Sequence, residues 1–205
     1  MANETANNSL ILQVNVNVVT KRAVGHPGKR KTCVKRLYLL RHAKSRVALA
    51  GQSDHERVLS RRGREACIRL AEHCRERSIH PAMTLCSTAR RCRETLERLS
   101  VALGRDMPAR FVRELYLAEP QDLLAQIRRL DNKLPTAMLV GHNPGLEELA
   151  LLLSGNRDAA SFRAIRQKFP TGALATITFA TGDWRSIAPG RGLLVEFTTP
   201  ASLDA

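Results

Sequence analysis

Short apolar runs rich in strand formers alternate along this chain with segments of helical spacing, and that alternation constrains the fold most. Residues 36–40 form one such run, ending in Arg41-His42. Residues 83–86 form a second, 110–112 a short third, and 136–140 a fourth. Helices are expected between them. Ser60 can cap one over about residues 61–77, with Ile68, Leu70, Ala71 and Cys74 facing inward. Ser87 or Thr88 can cap another over 89–103, closed by Gly104. Pro120 starts a third, to about 130, and a fourth covers 146–153. Two more strands, 173–179 and 193–198, are joined by a turn at Gly182-Asp183. This order predicts an α/β fold of three layers, α/β/α: a mostly parallel sheet with helices on both faces. In such sheets a ligand sits beyond the carboxyl ends of the strands.

With 205 residues, 43% of them hydrophobic, the chain suits one globular domain with a tail. Residues 1–34 are expected to be a basic, disordered extension, and 35–205 the folded domain. Lys21, Arg22, Lys29, Arg30 and Lys31 cluster in that extension around Gly25, Pro27 and Gly28. Alternation over 10–18 leaves a stray strand open, and a start site further along the chain is a third option. No apolar run is long enough to span a membrane, and residues 10–19 lack the flanks of a signal peptide.

A net charge of +14 favours anionic partners. Aromatic residues are only 4% and scattered, which argues against stacking platforms for single-stranded nucleic acid. The five cysteines, Cys33, Cys67, Cys74, Cys86 and Cys92, form no Cys-x-x-Cys pair. They are expected to be free thiols in a reducing, cytoplasmic setting. Cys67 and Cys74, seven apart, should share one buried helical face.

Three segments bring polar chemistry to the expected sheet edge: Arg41-His42, Ser87 to Arg91, and His142-Asn143. A lone Arg-His pair is ordinary. Two histidines ending two parallel strands, with an arginine beside one, serve no evident need of stability. Arg91 would aim a planar fork of donors at the same cavity, a geometry suited to phosphate. Arg90 and Arg93 are expected on a solvated face. Arg57 is a candidate pocket wall, and Asp54-His55 reads as an ordinary polar loop. The six histidines make no His-x-x-x-His or His-Glu-x-x-His unit on a helix, so no metal is expected.

Leu37-Tyr38-Leu39-Leu40-Arg41-His42-Ala43 resembles the Arg-His-Gly signature of the histidine phosphatase superfamily, which has a phosphoglycerate mutase-like fold. Ser87-x-x-x-Arg91-x-x-x-Thr95 resembles its second phosphate-binding segment, and Gly141-His142-Asn143-Pro144 its second catalytic histidine. The resemblance covers about residues 35–198 and is nearest to the SixA-type phosphohistidine phosphatases. It implies a metal-independent hydrolase with no cofactor and a phosphohistidine intermediate. His42 would be the nucleophile, His142 the second catalytic histidine, and Arg41, Arg91 and His142 the phosphate-binding groups. Ala43 stands where the family usually has glycine, so the turn must accept negative φ. Glu114 is the candidate proton donor by position. The short connections suggest an open pocket whose basic rim suits an acidic partner.

The expected partner is a phosphorylated substrate, a protein carrying phosphohistidine; neither a membrane nor nucleic acid is expected. A small-molecule phosphomonoesterase or phosphomutase of the same superfamily is the enzymatic alternative. A catalytically inert phosphate- or nucleic-acid-binding protein on this fold is the alternative of another class.

Overall fold

A computed structural model of the chain describes residues 33–204. The basic extension expected at 1–34, with its stray strand, lies outside the described residues apart from Cys33 and Val34, both exposed.

Six strands form one sheet: β1 (Lys35–Arg41), β2 (Met83–Ser87), β3 (Ala109–Val112), β4 (Thr136–Gly141), β5 (Leu174–Phe179) and β6 (Leu193–Thr198). Their order is β3-β2-β4-β1-β5-β6. The four strands from β3 to β1 pair in parallel, whereas β5 pairs antiparallel with both β1 and β6. The sheet is thus mixed, mostly parallel, as the alternation predicts. The segment between the last two strands holds one short 3-10 turn, Trp184–Ser186, and no α-helix to carry a crossover, and the two strands pair antiparallel.

Among the described residues five α-helices cover it: α1 (Arg61–Glu76), α2 (Arg90–Leu103), α3 (Pro120–Arg128), α4 (Gly145–Leu153) and α5 (Ala160–Gln167). Successive side chains of a strand point to opposite faces, and both faces of β1 and β4 are buried. Leu37, Leu39, Ala137 and Leu139 pack in one core with residues of α3, α4 and α5. Tyr38, Leu40, Met138 and Val140 pack in the other, with residues of α1 and α2. This double burial explains why these strands read as continuous apolar runs.

Two local expectations need correction, and one helix was not anticipated. Ile68 is 54% exposed. The stripe of α1 runs through Cys67, Leu70, Ala71 and Cys74, and one residue of rotation puts Ile68 on its flank. The N-cap of α2 is Ala89, with no side-chain cap, because both candidate hydroxyls are engaged elsewhere. Ser87 Oγ bonds His142, and Thr88 Oγ1 bonds His55. Finally, α5 had no sequence signal: it buries only Phe162 and Ile165, too little pattern to separate from a loop.

Candidate active site

Strands β2, β4 and β1 are adjacent and parallel, so their carboxyl ends share one edge. Arg41 pairs with Gly141 in register, which places the next residues, His42 and His142, side by side. Their ring centroids are 5.2 Å apart. Both are buried, at 7% and 4% exposure.

Arg91, from the first turn of α2, bridges the two rings. Its Nε donates to His42 Nε2 at 3.2 Å and its Nη2 to His142 Nδ1 at 3.2 Å. Arginine only donates, so both ring nitrogens must carry lone pairs. The remaining nitrogens then carry the protons. His42 Nδ1 donates to the Ala43 carbonyl at 2.8 Å, and His142 Nε2 donates to Ser87 Oγ at 2.9 Å. Burial is the main force holding both rings neutral. It pushes His42 from 6.5 to about 4, aided by Arg91, Arg41 and Arg57 against the Ala43 carbonyl. It pushes His142 to about 3, aided by the neighbouring His42 and by Arg91.

The loop after β1 is tied into this arrangement. The Ala43 N–H donates to Thr95 Oγ1 at 3.0 Å, and that hydroxyl donates to the Arg91 carbonyl at 2.6 Å. One threonine thereby couples the His42 turn to the backbone that carries Arg91. Ala43 is itself buried, and the only described non-glycine residues with positive φ are Ser78 and Leu117. The methyl group in place of a glycine is accommodated without a left-handed turn.

Asp54 is the acidic member of the site, and the sequence reading passed over it. Its carboxylate accepts from Arg57 Nη1 at 2.7 Å, from Arg91 Nη2 at 2.9 Å and from Tyr116 OH at 2.8 Å. Arg57 first, then Tyr116 and Arg91, hold it well below the usual carboxylate range. Its backbone carbonyl also accepts from Arg91 Nη1 at 2.6 Å. Asp54 therefore fixes the plane of the Arg91 guanidinium. Tyr116 stands edge-on to His142, ring centroids 5.4 Å apart. Leu117 beside it adopts φ of 51°, a costly conformation for a bulky residue, at the cavity rim.

Arg41 approaches from the other side. Its Nη1 donates to the Phe169 carbonyl at 2.6 Å, while its Nε is buried without a hydrogen-bond partner among the described residues. The cavity over the two histidines measures about 360 Å³ and is lined by Arg41, His42, Asp54, Arg57, Arg91 and His142, with Asn143 and Thr171 at its side. Four of the predicted site residues, Arg41, His42, Arg91 and His142, thus converge. Glu114 does not line the cavity: it is exposed in the single turn Arg113–Leu115. Arg90 and Arg93 are exposed, as expected. Cys67, Cys74, Cys86 and Cys92 are free and buried, and burial pushes the Cys92 thiol beside His142 up to about 12. Among the described residues, no three His, Cys, Asp or Glu side chains are grouped to hold a metal ion. Nor is any described helix long and apolar enough to cross a membrane.

The profile of the histidine phosphatase superfamily, branch 1, matches residues 37–119, which contain Arg41, His42, Asp54 and Arg91. A candidate phosphohistidine phosphatase SixA from Agrobacterium tumefaciens shares 30% identity, covering 81% of this chain and 98% of the other, with a TM-score of 0.68. The chain belongs to the histidine phosphatase superfamily. A second solved structure, of a candidate phosphohistidine phosphatase SixA from Nakamurella multipartitia, superposes on this histidine phosphatase with a TM-score of 0.71 at 26% identity. It covers 82% of this chain and 96% of that one. An uncharacterized protein of Mycobacterium tuberculosis is 39% identical over 166 residues, 78% of this chain and 99% of its own length. The phosphoglycerate mutase-like α/β fold follows from these neighbours and from the sheet order.

Proposed function

We propose that this histidine phosphatase hydrolyses phosphorylated substrates through a phosphohistidine at His42, without a metal or cofactor. The observation that carries the reading is the tautomer of His42: Nδ1–H is committed to the Ala43 carbonyl, leaving the Nε2 lone pair toward the cavity cations. A neutral, pre-oriented imidazole is what a nucleophile requires. Nε2 attacks phosphorus while the bond to the leaving group breaks. Water then attacks the phosphohistidine, restoring the imidazole and releasing inorganic phosphate. Arg41 and Arg91 meet the charge on the phosphoryl oxygens. His142 lies beside His42 and completes the pocket, and Asp54 with Arg57 keeps Arg91 aimed.

Substrate class turns on the leaving group. Asp54 is the acidic residue lining the cavity, and its three donors hold it as a carboxylate. A carboxylate has no proton to give an alkoxide at neutral pH. Glu114, exposed in its turn, was the positional candidate for that role. A site of this kind suits the labile P–N bond of phosphohistidine, and we infer that phosphohistidine in proteins is the substrate. The likeness to two SixA candidates supports this reading. Purified enzyme in excess chelator should dephosphorylate a phosphohistidine protein and process simple sugar phosphates poorly. Efficient sugar phosphate hydrolysis with the phosphohistidine protein untouched would overturn the substrate assignment.

A further inference from the structure

A second cavity, about 590 Å³, opens beside the first, between α1, α5 and the turn Pro200–Leu203. Arg41, Lys44 and Thr171 line both cavities. A ligand held at His42 can therefore extend into the second space, whose volume falls in the usual range of small-ligand sites, roughly 300–1,000 Å³. Its charged wall has one sign. Lys44, Arg62, Arg69 and Lys168 join Arg41, and no carboxylate lines it. Arg69 is engaged by Asp204 at 2.6 Å. Lys44, Arg62 and Lys168 make no ion pair among the described residues. Ala66, Pro170 and Phe197 supply apolar surface between these cations.

Unpaired like charges around one concavity repel each other and cost free energy unless an anion joins them. We propose that this second cavity is an anion subsite: it holds a second negatively charged group of the substrate while the phosphoryl group sits over His42. The assignment rests on the phosphatase reading for which end of the substrate reacts. The second anion is a phosphate or carboxylate on the leaving-group side, reached through the shared Arg41-Lys44 wall. Arg62 and Lys168 are specificity-determining residues here, exposed and absent from the lining of the cavity over His42.

Non-hydrolysable ligands test this without requiring turnover. Butylphosphonate and butane-1,4-bisphosphonate differ in the second anion. Two phosphonate-bearing peptides, with flanking glutamates or alanines, do the same for a protein source. Calorimetric binding is measured for the native protein, for Arg62→Ala/Lys168→Ala, and for Arg110→Ala/Lys133→Ala, which removes equal charge from exposed residues outside the cavity. The second anion should tighten binding about tenfold at low salt, the scale of one or two charge-assisted contacts. That preference should vanish in Arg62→Ala/Lys168→Ala and survive in the Arg110→Ala/Lys133→Ala control. A gain with the bisphosphonate assigns the anion to a small molecule, and a gain with the glutamate peptide to a protein; either supports the subsite. No gain with either, or an equal loss in both variants, overturns it. Separately, if the protein fails to turn over any phosphorylated substrate yet keeps the preference, the phosphatase reading fails and the subsite stands.

Discussion

At the scale of the residue, the site depends on keeping His42 uncharged. The neighbouring Arg91 and Arg41 cations lower its pKa. The larger cause is burial, which no local pattern reveals because it comes from chain segments far apart in sequence. An NMR titration of the His42 ring should give a midpoint near 4; a midpoint near 6.5 would contradict the account. The same shift has a stability consequence. The unfolded chain takes up this proton near 6.5, the folded one only near 4, so stability is lost as pH falls through that window. The loss from His42 alone is of the order of 3 kcal/mol. Asp54 contributes with the same direction at lower pH, since its paired carboxylate must be protonated before its ion pairs break.

At the scale of the element, legibility followed burial pattern. Strands β1 and β4, sandwiched between two cores, read clearly as apolar runs, and Ser60 marked the start of α1, where its side chain accepts from the Gly63 N–H. The histidines at the strand ends were legible for the same reason. Asp54 and Tyr116 were not, because their meeting joins two loops 62 residues apart that have no periodicity to read. Gly63 lies in the first turn of α1, where glycine lowers helix propensity. Its packing gives the reason: an added Cβ would collide with the Lys44 carbonyl, in the loop just after His42. That carbonyl already accepts from Ser60 N and Ser60 Oγ, at 2.9 and 3.0 Å. Alanine would gain about 1 kcal/mol of helix propensity, but a backbone clash in a packed site costs roughly 1–3 kcal/mol or more. Gly63→Ala should therefore lower Tm by several degrees, about 2–4 °C per kcal/mol of net loss, and reduce turnover together with it. A variant as stable and active as the native protein would show that the helix and loop are free to part.

At the scale of the whole molecule, the sheet order explains the convergence of the site. Strands β2, β4 and β1 place Ser87, His142 and His42 along one edge, and α2 enters from that edge carrying Arg91. The chain's net charge of +14 favours anionic ligands in general. It also made the individual arginines hard to sort from sequence, since burial separates Arg91 from the exposed Arg90 and Arg93. The claim on which the rest depends is covalent: the phosphoryl group passes to His42. Brief exposure to a radiolabelled small phosphodonor followed by denaturation should leave label on the chain. That label should be labile in acid, stable in alkali and absent from His42→Ala. Acid-stable label, or label undiminished in a folded His42→Ala protein, would contradict the mechanism.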